Sequence, residues 1–369
     1  MVQKNEEAGR TSRSASSTSG RVAGARREGE RASAKTVPDR RIVFVDEQSA
    51  GIGRRLVRGH WAYFDADGAR IVDRDEIDRL NHIGLPPAYE AAWFAPDPDA
   101  HILATGIDAR GRKQYRYHPD FIASRDAGKF GRCAAFGRAL PRLRERVAHD
   151  LAKRSLSRER ALASVVRLLD TGRIRVGNEA YVRANGSFGA TTLRMRHAKL
   201  DHGKLMLRFK AKSGKLCTLK VSDRGLVRFV KQMQDLPGQH LFQYVDDDGA
   251  IGAIGSSDVN AYIRETMGSQ GESGDFTAKH FRTWRASALA FEWLATHEHA
   301  RLRPMLDFVA SELCNTPAIV RKSYVHPDLV SLAKAEGDAI EALLPLPRRT
   351  KWLSRYERGL IAFLEDEKN

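Results

Sequence analysis

Tyr324 closes the segment Asn315-Thr316-Pro317-Ala318-Ile319-Val320-Arg321-Lys322-Ser323-Tyr324. A phenol has an ordinary pKa of ~10, so it attacks a phosphodiester only where cations take up the charge that develops. Four residues elsewhere are placed to supply that charge. Arg175 stands in Arg173-Ile174-Arg175-Val176-Gly177-Asn178, at the end of a helical stretch. Lys212 stands in Ala211-Lys212-Ser213-Gly214, an expected hairpin turn. Lys279 and Arg282 lie three apart on one expected helix and so share a face. Planar guanidinium groups hold phosphate oxygens through paired hydrogen bonds. A lysine beside the leaving oxygen can give it a proton. One such preorganised donor is worth about 3–4 kcal/mol in a transition state. Taken singly, each residue reads as a surface charge or a core tyrosine; the ordered set is what points to chemistry.

The balance of the chain agrees with an anionic substrate. Its 369 residues carry 62 Lys and Arg against 46 Asp and Glu, a formal charge of +16. A surplus of that size suits nucleic acid. No apolar run reaches the ~20 residues of a membrane span. The longest, around Ala286–Ala295, is interrupted by Glu292 and reads as a buried helix. Cys133, Cys217 and Cys314 are sparse, odd in number and outside any C-x-x-C pattern, which suits a reducing cytoplasm. Cys314, beside the tyrosine segment, reads as a small buried residue.

These residues need elements to hold them. Residues 1–40, with nine Lys/Arg, five acids and no aromatic residue, are expected to form a disordered basic arm. Residues 41–121 read as a β-rich domain: Trp61–Phe64, Ile71-Val72, Ala92–Phe94 and His101–Ala104 are short apolar runs between turn residues. Gly111–His118 then interleaves basic and aromatic residues. Residues 122–369 read as mainly helical, with three- and four-residue apolar spacing over Phe130–Leu151 and Arg158–Leu169. Alternation over Leu193–Leu200, Lys204–Phe209 and Leu216–Val221 predicts a three-stranded meander. Further helices are expected at Gly225–Gln234, at Asp258–Met267 behind a Ser257 cap and at Ala278–Leu294 behind Thr277. The class is α+β.

In its order, the set Arg, hairpin Lys, Lys-x-x-Arg, and a polar residue nine before Tyr resembles the type IB DNA topoisomerases, in their small, poxvirus-like bacterial branch. The resemblance spans about residues 50–330. It includes Gly111-Arg112-Lys113-Gln114-Tyr115-Arg116-Tyr117, Ile174-Arg175-Val176-Gly177, Phe209-Lys210-Ala211-Lys212, Phe281-Arg282-Thr283 and Lys322-Ser323-Tyr324-Val325-His326-Pro327. It implies that Tyr324 is the nucleophile, Arg175, Arg282 and Asn315 hold the phosphate, Lys212 is the general acid and Lys279 assists. It implies that Arg112, Lys113, Gln114, Tyr115, Tyr117 and Tyr181 contact DNA. Many relatives carry a histidine where this chain has Asn315; an amide donates a hydrogen bond but does not titrate near neutrality. The implied enzyme is a monomer of two domains closing as a clamp around double-stranded DNA, cytoplasmic and nucleoid-associated. It relaxes supercoils through a 3′-phosphotyrosyl bond without ATP, cofactor or metal.

Other motifs fall short. Ser213-Gly214-Lys215 has Phe209 where a Walker loop needs its first glycine, and Gly51-Ile52-Gly53 has Leu56 in place of a third glycine. Asp246-Asp247-Asp248-Gly249 lacks the acidic residue that would complete a calcium loop and reads as a surface turn. Two rival readings exist. A tyrosine recombinase or integrase uses a similar set, but usually has histidine where Lys279 stands and a helical domain in place of a β-rich one. A non-catalytic DNA-binding protein of the same fold would need the charge and not the chemistry.

Overall fold

A computed structural model describes residues 42–268, 275–297, 301–335 and 345–366. The basic arm expected over residues 1–40 lies outside the described residues.

The N-terminal part is an antiparallel sheet. Strand β1 (Ile52–Val57) and strand β2 (His60–Phe64) form a hairpin in which Val57 pairs with His60. The two turn residues, Arg58 and Gly59, both have positive φ (48° and 83°), the twist that a two-residue hairpin loop requires. Helix α1 (Arg74–His82) follows, capped by the Asp73 carboxylate, and strands β3 (Glu90–Phe94), β4 (Ile102–Ile107) and β5 (Lys113–Tyr117) complete the order β2-β1-β3-β4-β5. Ile52, Tyr63, Leu80, Leu85, Phe94 and Ala104 make a small core of their own. On β5 the period of two puts Lys113, Tyr115 and Tyr117 on one face and Gln114 and Arg116 on the other.

From residue 119 the chain is mainly helical. Helix α2 (Pro119–Gly131) starts with His118 as cap and proline in its first turn; after Arg132, α3 (Cys133–Ala152) and α4 (Arg158–Gly172) pack together. Short α5 (Glu179–Asn185) leads to the meander β6 (Ala198–Asp201), β7 (Lys204–Lys210) and β8 (Leu216–Val221), antiparallel in that order. Then come α6 (Arg224–Met233), a β9 (Gln243–Val245) and β10 (Ile251–Ala253) hairpin, α7 (Ser256–Met267), α8 (Ala278–Thr296), α9 (Leu302–Glu312), α10 (Pro317–Ser323), α11 (Pro327–Leu332) and α12 (Arg355–Asp366). Phe136, Leu140 and Leu143 of α3, Val165 and Leu168 of α4, and Trp284 and Phe291 of α8 are at most 1% exposed and form the centre of the larger core. Inside it Arg144 of α3 bonds Asp170 of α4 (2.8 Å) and Glu357 of α12 (2.7 Å), and Glu357 also accepts from Trp284 of α8. Because these charges are removed from water, losing one partner would strand the others, so the cluster fixes how four helices meet.

Several local expectations change. Ile71-Val72 is not a strand; Val72 is 78% exposed, and the link back to β2 is an isolated Phe64–Arg70 bridge with the Ile71 N–H on the Tyr63 carbonyl (2.9 Å). The expected helix Phe130–Leu151 is two helices broken at Arg132. The first meander strand starts only at Ala198, because Met195–His197 forms a 3-10 turn. The cap of α7 is Gly255, whose N–H is taken by Asp258 Oδ2 (2.9 Å); Ser257 lies within the helix. Strands β1, β9 and β10 and helix α1 add to what the pattern showed.

Candidate active site

Arg175 owes its position to a backbone crossing. Helix α4 ends at Gly172, and Arg173 takes a left-handed conformation (φ 59°) that turns the chain away. The next residues lie along a second segment: Ala190 N–H donates to the Arg175 carbonyl (2.8 Å) and Thr191 N–H to the Val176 carbonyl (2.7 Å). Only glycine permits this approach. A Cβ on Gly189 would stand 2.5 Å from the Gly177 nitrogen and 2.6 Å from the Arg175 oxygen.

Arg282, on α8, is 4% exposed. One end of its guanidinium donates to the Arg173 carbonyl, and Nη2 donates to the Leu313 carbonyl (3.2 Å). The fork is thereby fixed between two chain segments by neutral acceptors. Among the described residues neither Arg282 nor Arg175 forms an ion pair with a carboxylate. Both face Tyr324: Arg175 Nη2 donates to the phenol oxygen (3.1 Å), and the Arg282 guanidinium carbon lies 4.7 Å from the ring centroid. Burial pushes the Tyr324 phenol up, but the charges of Arg282 and Arg175 outweigh it and bring the group below its ordinary value. Burial, with Arg175 nearby, lowers Arg282 in turn.

Tyr324 itself is held by the end of α10. Thr316 Oγ1 caps that helix at Ile319 N–H, Pro317 opens it, and half-buried Tyr324 follows its last residue as the C-cap. Its N–H donates to the Val320 carbonyl (3.0 Å), and its own carbonyl accepts from Ser287 Oγ (3.4 Å), which also accepts from His326 N–H (3.0 Å). Asn315 N–H donates to the Ala310 carbonyl, and its Oδ1 accepts from Thr316 N–H (3.0 Å), which turns the amide nitrogen away from the helix start. That Nδ2 is buried and has no partner among the described residues; the same is true of Arg282 Nε and Arg173 Nε. A buried donor without an acceptor costs about 1–3 kcal/mol.

Lys212 begins the 3-10 turn Lys212–Gly214 between β7 and β8, exposed and on the rim of a small open cavity. Arg173, Arg175, Arg282, Phe188, Phe209 and Cys314 also line it. From the same hairpin Lys215 Nζ donates to the Asn315 carbonyl (2.9 Å) and so ties the lysine turn to the amide. Lys279 differs from Arg282: it is exposed in the first turn of α8 and does not line the cavity.

The residues of β5 and its approach form a second group. Arg112 donates to Asp108 through Nε (2.9 Å) and Nη2 (2.7 Å), and Gln114 Nε2 donates to the same carboxylate (2.9 Å). Lys113 pairs with Glu47 (3.2 Å), and the Tyr115 hydroxyl donates to it (3.3 Å). The Asp108 carboxyl is held well below the usual range, chiefly by the Arg112 hydrogen bond. Tyr115 and Tyr117 stack with centroids 5.8 Å apart. Tyr181 is 42% exposed in the first turn of α5, where Asn178 Oδ1 caps its N–H.

Of the residues that sequence reasoning brought forward, the structure brings Arg175 and Arg282 to Tyr324 and leaves Lys279 outside the cavity; the supports were not foreseen. Ser287 could have been noticed as a hydroxyl inside an apolar run; Arg173 and Lys215 could not, because backbone turns alone give them their roles. Asp108 and Glu47 carry no signal in the sequence.

This site stands in a chain whose residues 118–326 match the family model described as eukaryotic DNA topoisomerase I, catalytic core, and whose residues 60–108 match bacterial DNA topoisomerase IB, N-terminal domain. The chain belongs to the type IB DNA topoisomerase family, enzymes that break and rejoin DNA strands. Within it, the bacterial N-terminal domain and the viral relatives mark the poxvirus-like bacterial branch. DNA topoisomerase 1B of Acanthamoeba polyphaga mimivirus is 32% identical over 290 residues, covering 74% of this chain and 85% of the relative. DNA topoisomerase I of monkeypox virus is 23% identical over 146 residues, covering 38% of this chain and 46% of the relative. Among the described residues no helix is long and apolar enough to cross a membrane.

Proposed function

We propose that Tyr324 is the nucleophile of an ATP-independent DNA relaxation. The observation that carries this reading is the Tyr324 hydroxyl bonded to Arg175 at 3.1 Å beside the charge of Arg282, neither arginine pairing with a carboxylate among the described residues. The Tyr324 phenol gives its proton to solvent water, helped by the nearby charges of Arg282 and Arg175. As the phenolate oxygen bonds to phosphorus, the two guanidinium groups and the Asn315 amide hold the non-bridging oxygens, on which negative charge grows. The phosphorus–O5′ bond breaks, and Lys212 gives O5′ its proton. The strand is then held as a 3′-phosphotyrosyl ester beside a free 5′-hydroxyl. Swivelling releases supercoils. The hydroxyl attacks back, returns its proton to Lys212 and expels the phenolate. Energy of the phosphodiester is kept in the ester, so no nucleotide is consumed.

In the same reading Arg112, Lys113, Gln114, Tyr115, Tyr117 and Tyr181 grip duplex DNA, phosphates by the cations and hydroxyls and a base edge by the Gln114 amide. Lys279, exposed at the start of α8, adds a contact at the rim. The residues 41–121 and 122–369 act as two domains of a clamp, and the protein works as a monomer in the cytoplasm on the nucleoid. Supercoiled plasmid incubated with the protein, without ATP or magnesium, should relax to a ladder of topoisomers. Tyr324→Phe should bind the plasmid and leave it supercoiled. Relaxation by that variant would remove Tyr324 from the mechanism.

A further inference from the structure

Two of the three cysteines meet beside this site. Cys217 lies on β8, two residues after Lys215, and Cys314 lies in the turn from α9 to α10, immediately before Asn315. They are 97 residues apart in sequence, yet their sulfurs are 2.8 Å apart. Cys314 has a positive φ (49°), unusual for a residue with a side chain, and that conformation turns its sulfur toward the hairpin. Cys217 is 2% exposed, whereas Cys314 is partly exposed, and both line the cavity that holds Arg175, Lys212 and Arg282.

We propose that Cys217 and Cys314 form a reversible disulfide site, oxidised by small-molecule disulfides that enter the cavity. A disulfide bond is about 2.05 Å long, so closure requires the sulfurs to move together by less than about 1 Å. The Cys314 thiolate attacks one sulfur of the small disulfide, whose S–S bond breaks to release one thiol. The Cys217 thiol then gives up its proton and attacks the Cys314 sulfur, displacing the second thiol. Two protein thiols are oxidised and one small disulfide is reduced to two thiols. The surroundings favour that order. The hydrogen bond from Cys217, together with the charges of Lys215, Arg282 and Arg173, lowers Cys314 to about 6 against the opposing effect of burial; the same hydrogen bond and burial push Cys217 up.

The bond would covalently join the hairpin of Lys212 to the turn of Asn315, two parts that the Lys215 hydrogen bond already links loosely. Because Cys314 precedes Asn315 directly, pulling its sulfur shifts the amide and hinders adjustment of Lys212. This consequence rests on the proposed cleavage at Tyr324; the disulfide itself does not.

Full-length protein is treated with oxidised glutathione, digested without reduction and mapped by mass spectrometry, and cleavage of DNA by the same samples is timed. The Cys217 peptide should be joined to the Cys314 peptide, with Cys133 still reduced. Cleavage should slow on the order of ten- to a hundredfold, the scale of a roughly 1 Å misplacement in a site, and recover with dithiothreitol. Cys314→Ser, which lacks the attacking thiol, should cleave equally fast before and after oxidation. Stable glutathione on Cys314 without the cross-link, or no reaction of either cysteine, overturns the site. A cross-link that leaves cleavage unchanged overturns the consequence. If reduced protein does not cleave DNA at all, the proposed function fails, and the peptide map still decides the disulfide.

Discussion

Two groups of basic residues in this molecule differ in what their donors already hold. On β5 and the turn before it, Arg112, Lys113, Gln114 and Tyr115 are largely exposed, and each is bonded to Asp108 or Glu47. Around Tyr324, Arg175 and Arg282 are set into the protein, with a phenol and backbone carbonyls as their partners. Exposed ion pairs are worth little, because water and salt screen them. A phosphate can therefore replace the acids of β5 at small cost, which suits residues that grip and release a backbone. Cations set into the protein with no carboxylate partner among the described residues are kept only by a rigid frame. That frame is visible here in the Gly189 crossing, the carbonyls of Arg173 and Leu313, and Ser287 behind Tyr324. Electrostatic preorganisation requires such a frame. The first group should thus govern affinity and the second the rate.

The largest effect that would break this division comes from the buried group. Arg282→Ala and Arg175→Ala should each slow single-turnover cleavage about 10²–10³-fold at saturating DNA with little loss of affinity. Arg282→Lys should recover only part, since it keeps the charge and loses the fork. If either alanine variant loses affinity and keeps its rate, the division is wrong. Arg175→Ala also removes a cation that favours the phenolate, so the Tyr324 phenol rises and the alkaline rise of the pH–rate profile should move to higher pH. Asn315→Ala should cost less, about five- to tenfold in cleavage rate, because it removes one neutral hydrogen bond of about 1–1.5 kcal/mol. Unchanged cleavage would free Asn315 from the phosphate role.

Smaller effects should appear on β5. Arg112→Ala should weaken duplex binding by roughly 1 kcal/mol and reduce the slope of log affinity against log salt by about 0.9, leaving the saturated rate intact. The smallest should come from the acids. Asp108→Asn keeps an oxygen for the N–H groups of Arg110 and Arg112 while removing the charge that competes for Arg112 and Gln114. DNA binding should tighten slightly at low salt and not at high salt.

The two regions were also unequally legible in the sequence. The meander was clear because β7 and β8 alternate buried and exposed residues on either side of a glycine-containing turn, which placed Lys212 at once. Helix α8 was clear because it is apolar over most of its length, and Lys279 and Arg282, three apart near its start, share a face. The N-terminal sheet was read less fully. In β1, Arg54 and Arg55 look like surface residues, yet Arg54 bonds the Leu85 and Pro86 carbonyls and lies over Trp61, so its stem and charge are spent inside the fold. Helix α1 buries only Leu80 and gives almost no periodic signal. Ile71-Val72 gave a false strand, since two β-branched residues fix no partner. Contacts between distant segments, such as Cys217 with Cys314 or Ser287 with Tyr324, follow from the packing of α8 and the hairpin and have no local signature.

The central claim is that Tyr324 attacks the DNA backbone within a frame of buried cations. The most direct measurement traps the protein on a duplex whose cleaved end is lost by dissociation, digests the adduct and sequences the peptide joined to DNA. The account predicts a 3′-phosphate ester on Tyr324, formed without ATP or magnesium. Attachment through another residue, attachment to a 5′ end, or no covalent adduct from a protein that binds the duplex would contradict it.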